Sequence, residues 1–283
     1  MYIKTKCKIC NHEYDAMEPK CPNCEEANSV NTDAVKNPNG AVFAWWKQLV
    51  LFLVGWIGFQ VIANVIAIAI LNADLAEIVK SAITNFGGYT VLIIGMGLIV
   101  WVDWKKLFKS FKGWKPYVFG LAGFAAIMAF SRVWSIICSF IPLDVTDNAN
   151  QSAATSIVTS YPIIGFIILG FVGPICEELT YRVGLFSLTK RVNRVFGYVI
   201  TLVIFAFIHF DFLSIVESMK TGNWDIFLNE LLNLPFYLFA GLTFTFLYEK
   251  YGFASSLAAH VTNNAYSVIM TILLPYLEKF IGE

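Results

Sequence analysis

Long apolar runs, separated by short polar segments, fill the chain from Ala41 onward. Each run has about 17 to 25 residues, close to the roughly 20 that an α-helix needs to cross a bilayer. We therefore predict membrane-spanning helices near residues 49–71, 84–102, 117–141, 161–185, 196–212, 231–248 and 253–275. The pattern indicates an all-α polytopic membrane protein with about seven spanning helices, and it leaves room for an eighth half-helix between residues 212 and 230.

The first 40 residues contain no such run and instead carry four cysteines in the pattern C-x2-C-x10-C-x2-C. Two CxxC pairs on tight turns can supply four thiolates to one tetrahedral Zn2+. Two disulfides are the alternative, but thiols stay reduced in the cytosol. We predict a structural zinc ribbon over residues 1–27, held by Cys7, Cys10, Cys21 and Cys24. Such a ribbon is also a candidate docking module for a protein partner.

Residues 28–40 are polar and predict a flexible linker, which leaves residues 41–283 as the helical membrane domain. The chain is 57% hydrophobic and 14% charged, against about 45–50% and about 25% in an average soluble protein. Its net charge is zero, so we expect membrane lipid and no nucleic acid among its partners. The first residues lack an apolar core followed by a cleavage site, so we expect no cleaved signal peptide.

Positive charges are concentrated in the loops that follow the second and fourth apolar runs, whereas the loops of opposite parity are acidic. Basic loops stay in the cytoplasm. We therefore expect an integral protein of the plasma membrane with its N-terminus and zinc ribbon in the cytoplasm and its C-terminus outside. The basic residues are Lys105, Lys106, Lys109, Lys112, Lys115, Lys190, Arg191 and Arg194.

Three ionisable residues interrupt the fourth apolar run. Such groups are costly in a bilayer, so they indicate a functional site by default. On a helix Glu178 and Arg182 share a face at i and i+4, in the favourable order for an ion pair. Glu177 is rotated by about 100° and lacks that partner. We predict a structural Glu178–Arg182 pair, and a free Glu177 suited to proton transfer in low dielectric.

Two further runs carry polar groups at broadly similar depth. His209 lies late in the fifth run with Phe205 one turn before it, and His260 and Asn264 share a face at i and i+4 in the last run. A lone membrane histidine is most often a packing residue. The chain has three histidines, however, and both of those in the membrane domain lie at about the depth of Glu177, which favours a common site.

These residues resemble the motifs of a known family. EELTYR at 177–182, FAFIH at 205–209 and HVTNN at 260–264 match the order and spacing of EExxxR, FxxxH and HxxxN in the CAAX protease and bacteriocin-processing family, also called the Abi family. The resemblance covers about residues 115–275, and only some members carry a ribbon. It implies an all-helical intramembrane endopeptidase whose site opens to the cytosolic side.

The resemblance also implies roles. Glu177 with His209 would activate water, while His260 and Asn264 would hold the oxyanion. The substrate would be a prenylated protein cut near its C-terminus, or a signal or bacteriocin peptide. Our leading hypothesis is therefore peptide hydrolysis by glutamate-activated water, without a catalytic metal.

Two alternatives use the same residues. His209, His260 and one glutamate could ligate a catalytic Zn2+ with an open water position. The absence of an HExxH motif favours the glutamate mechanism. The protein could also be a non-catalytic membrane adaptor or immunity protein that binds peptides in the same cavity. A binder does not need a base together with an oxyanion pair, which counts against this reading. A transporter would have inverted repeats, and we find none in the sequence.

Overall fold

The structure is a computed structural model that describes residues 4–7, 10, 12–15, 21–23 and 43–281. In these ranges the chain is almost entirely helical, with one two-stranded sheet near the N-terminus. The predicted all-α polytopic membrane fold is confirmed. The predicted linker, residues 28–40, lies outside the described residues, as does Cys24.

The sheet is a small hairpin. Strands β1 (Lys4–Lys6) and β2 (Glu13–Asp15) pair antiparallel, with Thr5 opposite Tyr14. Lys6 forms an ion pair with Glu13, its partner across the sheet, at 3.2 Å. The turn between the strands contains Cys7 and Cys10. The hairpin therefore brings one CxxC pair onto a turn, as the zinc ribbon requires.

The membrane domain consists of helices joined by short connections. They are α1 (Trp45–Ala69), α2 (Glu77–Phe111), α3 (Lys115–Cys138), α4 (Ala149–Ser160), α5 (Pro162–Thr189), α6 (Arg194–Phe207), α7 (Leu213–Thr221), α8 (Asp225–Tyr251) and α9 (Phe253–Ile281). Within the described ranges six of them, α1, α2, α3, α5, α8 and α9, are long and apolar enough to cross a membrane.

Helix α6 differs from the fifth predicted span, which was placed at residues 196–212. It has 14 residues, which gives a length of about 21 Å, short of the roughly 30 Å hydrocarbon core. The helix ends at Phe207, and the chain turns through residues 208–212 before α7 begins. His209 therefore lies in a turn and not on the helix. Helix α7 occupies the region where an eighth half-helix was considered.

A group of polar contacts joins the connections at one end of the helix bundle. They link Arg191 to Phe43 and Gln48, Lys47 to Asp103, and Lys190 and Arg194 to Glu249. The start of α1, the end of α5 and the end of α8 thus lie together. The two basic loops also lie at this end. Helix α6 begins at this end, and helix α8 ends there.

Helix α1 packs closely on α5 at two glycines. A Cβ atom on Gly184 would lie 2.9 Å from the backbone nitrogen of Phe52 and 3.1 Å from the carbonyl oxygen of Gln48. A Cβ atom on Gly55 would lie 1.8 Å from the Thr180 hydroxyl. Small residues allow such close approach of membrane helices, where dispersion contacts replace the hydrophobic effect. The contact encloses the part of α5 that carries the charged residues.

The residues Glu178–Phe186 of α5 are buried without exception. They pack against α1, α6, α8 and α9, whereas many large apolar side chains on the outer faces of the bundle are exposed, such as Leu98 and Ile68. Exposed apolar side chains on spanning helices suit contact with lipid. The charged residues of α5 are thus in the protein interior and not at the lipid surface.

We expect Gly184→Ala to destabilise the protein, because the new methyl group meets backbone atoms of α1 that cannot move aside cheaply. Overpacking of this kind costs about 1–3 kcal/mol, measured as a lower thermal midpoint in detergent. Gly97→Ala is the matched control, since a Cβ there meets nothing within 4 Å and alanine favours helix by about 1 kcal/mol. Equal midpoints for the two variants would contradict the close packing of α1 on α5.

Candidate active site

Helix α5 changes its hydrogen-bonding pattern where its charged residues begin. An α-helical segment, Gly173–Glu177, is followed by a π-helical segment, Glu178–Phe186, and another π-helical segment, Ile168–Val172, precedes both. The Thr180 hydroxyl donates to the carbonyl of Cys176 at 2.7 Å. Such π-helical segments are rare and frequently occur at functional sites. The change falls between Glu177 and Glu178, whose carboxylates also differ in their contacts.

Glu178 is the centre of a buried polar network. The Nη1 atom of Arg182 lies 3.1 Å from its Oε1 atom, and both side chains are 0% exposed. The Nδ1 atom of His260 lies 2.8 Å from the same oxygen, and the Ser256 hydroxyl donates to Oε2. The predicted Glu178–Arg182 ion pair is therefore present, and α9 adds two more donors. The carboxylate accepts hydrogen bonds at both oxygens.

The Arg182 guanidinium also lies against two aromatic rings. Its Cζ atom is 4.3 Å from the centre of the Phe205 ring and 5.2 Å from that of Phe244. A desolvated cation on a ring face gains about 2 kcal/mol or more. The rings thus replace the water that a buried guanidinium loses. Arg182 is fixed in place by α6 and α8 as well as by Glu178.

Glu177 has a different environment from its neighbour. Its side chain is 18% exposed, and the Nε2 atom of His260 lies 3.7 Å from its Oε2 atom. That oxygen has no hydrogen-bond partner among the described residues. One carboxylate is therefore saturated with donors, while Glu177 retains an oxygen that can receive a proton or hold a water molecule.

His260 bridges the two glutamates. A carboxylate oxygen can only accept from the ring, so we assign a proton to the Nδ1 atom that contacts Glu178. The Nε2 atom then faces Glu177. The imidazole also stacks on the Phe244 ring, with 4.3 Å between ring centres and 17° between planes. Its position is thus fixed by a hydrogen bond in the ring plane and by a ring on its face.

His209 is held in a different way. Its Nδ1 atom lies 2.8 Å from the carbonyl oxygen of Phe205, so Nδ1 carries the proton and Nε2 is the acceptor in the neutral ring. The side chain thereby satisfies one of the carbonyl groups at the end of α6. Among the described residues no hydrogen bond or ion pair joins His209 to Glu177. Of the two imidazoles, it is His260 that lies within 4.0 Å of Glu177.

Asn264 lies one turn after His260 on α9. Its Nδ2 atom donates to the carbonyl of Leu169 at 3.2 Å, in the first π-helical segment of α5. The Nδ2 atom of Asn263 donates to its Oδ1 atom at 3.3 Å. An amide NH2 group has two hydrogens, and these contacts use one of them. The second remains available for a substrate oxygen.

Three residues of this site were not singled out from the sequence. Ser256 precedes His260 by one turn of α9, so an S-x3-H-x3-N spacing could have indicated it. Phe205 was noted as the first residue of the FxxxH motif and as a neighbour of His209, but no role was predicted for it, and its ring also faces His260, at 6.1 Å between ring centres. Phe244 lies in an apolar stretch of α8 that carries no distinguishing signal.

The ribbon cysteines form a second cluster. The Sγ atoms of Cys7, Cys10 and Cys21 all lie within 4.8 Å of one another, and those of Cys10 and Cys21 are 3.7 Å apart. Four sulfurs at about 2.3 Å from a tetrahedral zinc are separated by about 3.8 Å. The three described thiols could therefore hold a metal ion, and the predicted fourth ligand, Cys24, lies outside the described residues.

The membrane site does not have this arrangement. In the part of the chain that the structure describes, the three ribbon cysteines are the one set of three or more His, Cys, Asp or Glu residues whose ligand atoms converge in this way. Glu177, His209 and His260 do not form such a set. They would have to move together to share one ion.

Comparison with known proteins supports the resemblance seen in the motifs. Residues 159–266 match the model of a family described as type II CAAX prenyl endopeptidase, Rce1-like, so the resemblance is confirmed for this segment. The match includes all six candidate residues of the membrane site, Glu177, Glu178, Arg182, His209, His260 and Asn264.

Two curated relatives were found. An uncharacterized protein of Mycoplasma capricolum subsp. capricolum is 25% identical over 268 residues, which cover 84% of this chain and 74% of the relative. The UPF0177 protein YvdC of Lactococcus lactis subsp. lactis is 25% identical over 155 residues, which cover 54% of this chain and 52% of the relative. No solved structure matches the chain.

We expect Arg182→Met to destabilise the protein by about 3–5 kcal/mol, because it leaves the buried Glu178 charge without its cation. The thermal midpoint in detergent measures this loss. The double variant Glu178→Gln with Arg182→Met should lose less, since no charge is then stranded and the amide oxygen can still accept from His260. If the double variant were as unstable as Arg182→Met, charge neutralisation would not be the role of Arg182.

Proposed function

We propose that this protein, whose residues 159–266 match the Rce1-like family, is an intramembrane endopeptidase acting on membrane-associated proteins or peptides. The observation that carries the proposal is the contrast between two adjacent carboxylates. Glu178 forms an ion pair with Arg182 and accepts from Ser256 and His260, whereas Oε2 of Glu177 has no hydrogen-bond partner among the described residues. A carboxylate oxygen without a donor is able to take a proton from water, which is the role of a general base in peptide hydrolysis.

In the proposed reaction Glu177 is the general base. It takes one proton from a water molecule as the water oxygen bonds to the scissile carbonyl carbon. His209 orients this water by accepting its other hydrogen at Nε2, the acceptor atom left by the contact of Nδ1 with Phe205. The carbonyl oxygen becomes an oxyanion. Collapse of this intermediate breaks the carbon–nitrogen bond, and Glu177 returns its proton to the departing amine.

The oxyanion needs fixed donors in a dry site. Asn264 supplies the amide hydrogen that Leu169 does not use. His260 supplies an N–H group at Nε2, which requires a doubly protonated ring because Nδ1 donates to Glu178. The charges then balance, with Glu177 and Glu178 against Arg182 and His260. Glu178, Arg182 and Ser256 act through His260 and do not touch the substrate.

A zinc-dependent mechanism at the same residues is the second candidate. It would need Glu177, His209 and His260 as ligands, and these residues lack the convergence that the ribbon cysteines have. The separate surroundings of His209 and His260 favour the glutamate mechanism. A non-catalytic adaptor is the third candidate, and the unsaturated oxygen of Glu177 has no evident use in it.

The family suggests the substrate class. The matched family is that of type II CAAX prenyl endopeptidases, so we propose that a lipidated protein or a membrane-associated peptide enters the site from the bilayer or the cytosolic face. We also propose that the end of the bundle with the basic loops is cytoplasmic, which places the ribbon on that side. The ribbon would carry one structural Zn2+ and could dock a protein partner there.

We expect Glu177→Gln to abolish peptide cleavage in detergent while the thermal midpoint stays nearly unchanged, since the amide keeps the shape but cannot take a proton. Glu217→Gln, on the exposed face of α7, is the matched control and should cleave normally. A Glu177→Gln protein with near-normal kcat would refute the assignment of the base.

We expect the full-length protein to contain one zinc per chain and Cys7→Ser with Cys21→Ser to contain none, as measured by elemental analysis. Cleavage by this double variant should persist and should resist chelators, because the thiolates form a closed structural site. If the variant instead retained one metal, lost it on His209→Ala or His260→Ala, and were silenced by chelation, the zinc-dependent mechanism would replace the glutamate one.

A further inference from the structure

Helix α8 contains none of the three motifs, yet two of its rings stack on the two membrane histidines. Tyr237 lies on His209, with 4.3 Å between ring centres and 15° between planes. Phe244 lies on His260 with nearly the same geometry, 4.3 Å and 17°. The two aromatic residues are seven positions apart, or about two helical turns, and so share one face of α8.

His209 depends on such support more than His260 does. It lies beyond the end of α6, in the turn through residues 208–212, where no helical backbone fixes its orientation. The contact between its Nδ1 atom and the carbonyl of Phe205 is one constraint on the ring. A single hydrogen bond still allows the ring to rotate about the axis of that bond.

Asn148 provides a constraint on the backbone of this turn. Its Nδ2 atom donates to the carbonyl of His209 at 2.9 Å. Its Oδ1 atom accepts from the Tyr237 hydroxyl at 3.2 Å and from the backbone N–H of Gln151 at 2.9 Å. Asn148 is 2% exposed and caps α4, which lies largely outside the segment that matches the family. One amide therefore joins the start of α4, the turn after α6, and the ring of Tyr237.

We infer that Tyr237 and Asn148 are positioning residues for His209. The stacked ring fixes the plane of the imidazole, and the amide fixes the backbone that carries it. Together they hold the neutral ring with its proton on Nδ1 and its Nε2 atom free to accept. The inference rests on the proposed function for its catalytic consequence, but the state of the ring is a property of the protein alone.

The test measures that state directly. The chain has three histidines, so the 15N resonances of full-length protein labelled at histidine can be assigned by removing one histidine at a time. For His209 we expect a donor-type Nδ1 and an acceptor-type Nε2 shift. Tyr237→Leu and Asn148→Ala should each move both shifts toward the averaged values of a free imidazole, whereas Tyr237→Phe, which keeps the ring, should change them least. Phe246→Leu, on the exposed face of α8, is the control.

Cleavage by the same proteins supplies the second readout. Misplacement of a catalytic group by a fraction of an ångström lowers kcat by about 10- to 100-fold, and we expect this for Tyr237→Leu with KM nearly unchanged. Tyr237→Phe should recover most of the rate. Unchanged 15N shifts in both Tyr237→Leu and Asn148→Ala would overturn the inference, whatever the rate. Changed shifts with a normal rate would uphold the positioning and refute the catalytic role of His209.

Discussion

The buried charge of Glu178 is the constraint on which the rest of the site depends. An unpaired carboxylate in a membrane interior is too costly to persist, so this one requires the cation of Arg182 four residues later. The guanidinium is itself fully buried and takes part of its compensation from the faces of Phe205 and Phe244. Those rings in turn contact His209 and His260. Neutralising one charge thus fixes α5, α6, α8 and α9 relative to one another.

The chemistry proposed for Glu177 depends on this arrangement. Arg182 pairs with Glu178 and not with Glu177, and His260 and Ser256 donate to Glu178, whereas Oε2 of Glu177 has no hydrogen-bond partner among the described residues. A step of one residue along α5, at the change from α-helical to π-helical geometry, thus separates the carboxylate of the buried ion pair from the one proposed as the base. In the proposed mechanism a strong partner for Glu177 would remove the base, so the absence of one among the described residues suits that role.

Relations within one helix could be predicted from the sequence, and relations between helices could not. The spans of α1, α2, α3, α5, α8 and α9 followed from apolar length, and the Glu178–Arg182 pair followed from i,i+4 spacing. The contact of His260 with Glu178 depends on how α9 crosses α5, which no spacing records. The position of His209 depends on where α6 stops. The apolar run continues past Phe207 without a Gly or Pro, so the sequence gives no stop signal there. The imidazole of His209 instead satisfies the carbonyl of Phe205 in the last turn.

The supporting residues also differ from the motif residues in kind. A base, an oxyanion donor or a paired cation must be one of very few residue types, so such groups produce short patterns that can be read from a sequence. A stacking ring or a small residue at a helix crossing can be supplied by several types and from any neighbouring helix. Tyr237, Phe244 and Gly184 therefore look like ordinary membrane residues until their neighbours are known. The motifs indicate which chemical groups the site contains. The packing of α1, α4 and α8 around them determines where those groups lie.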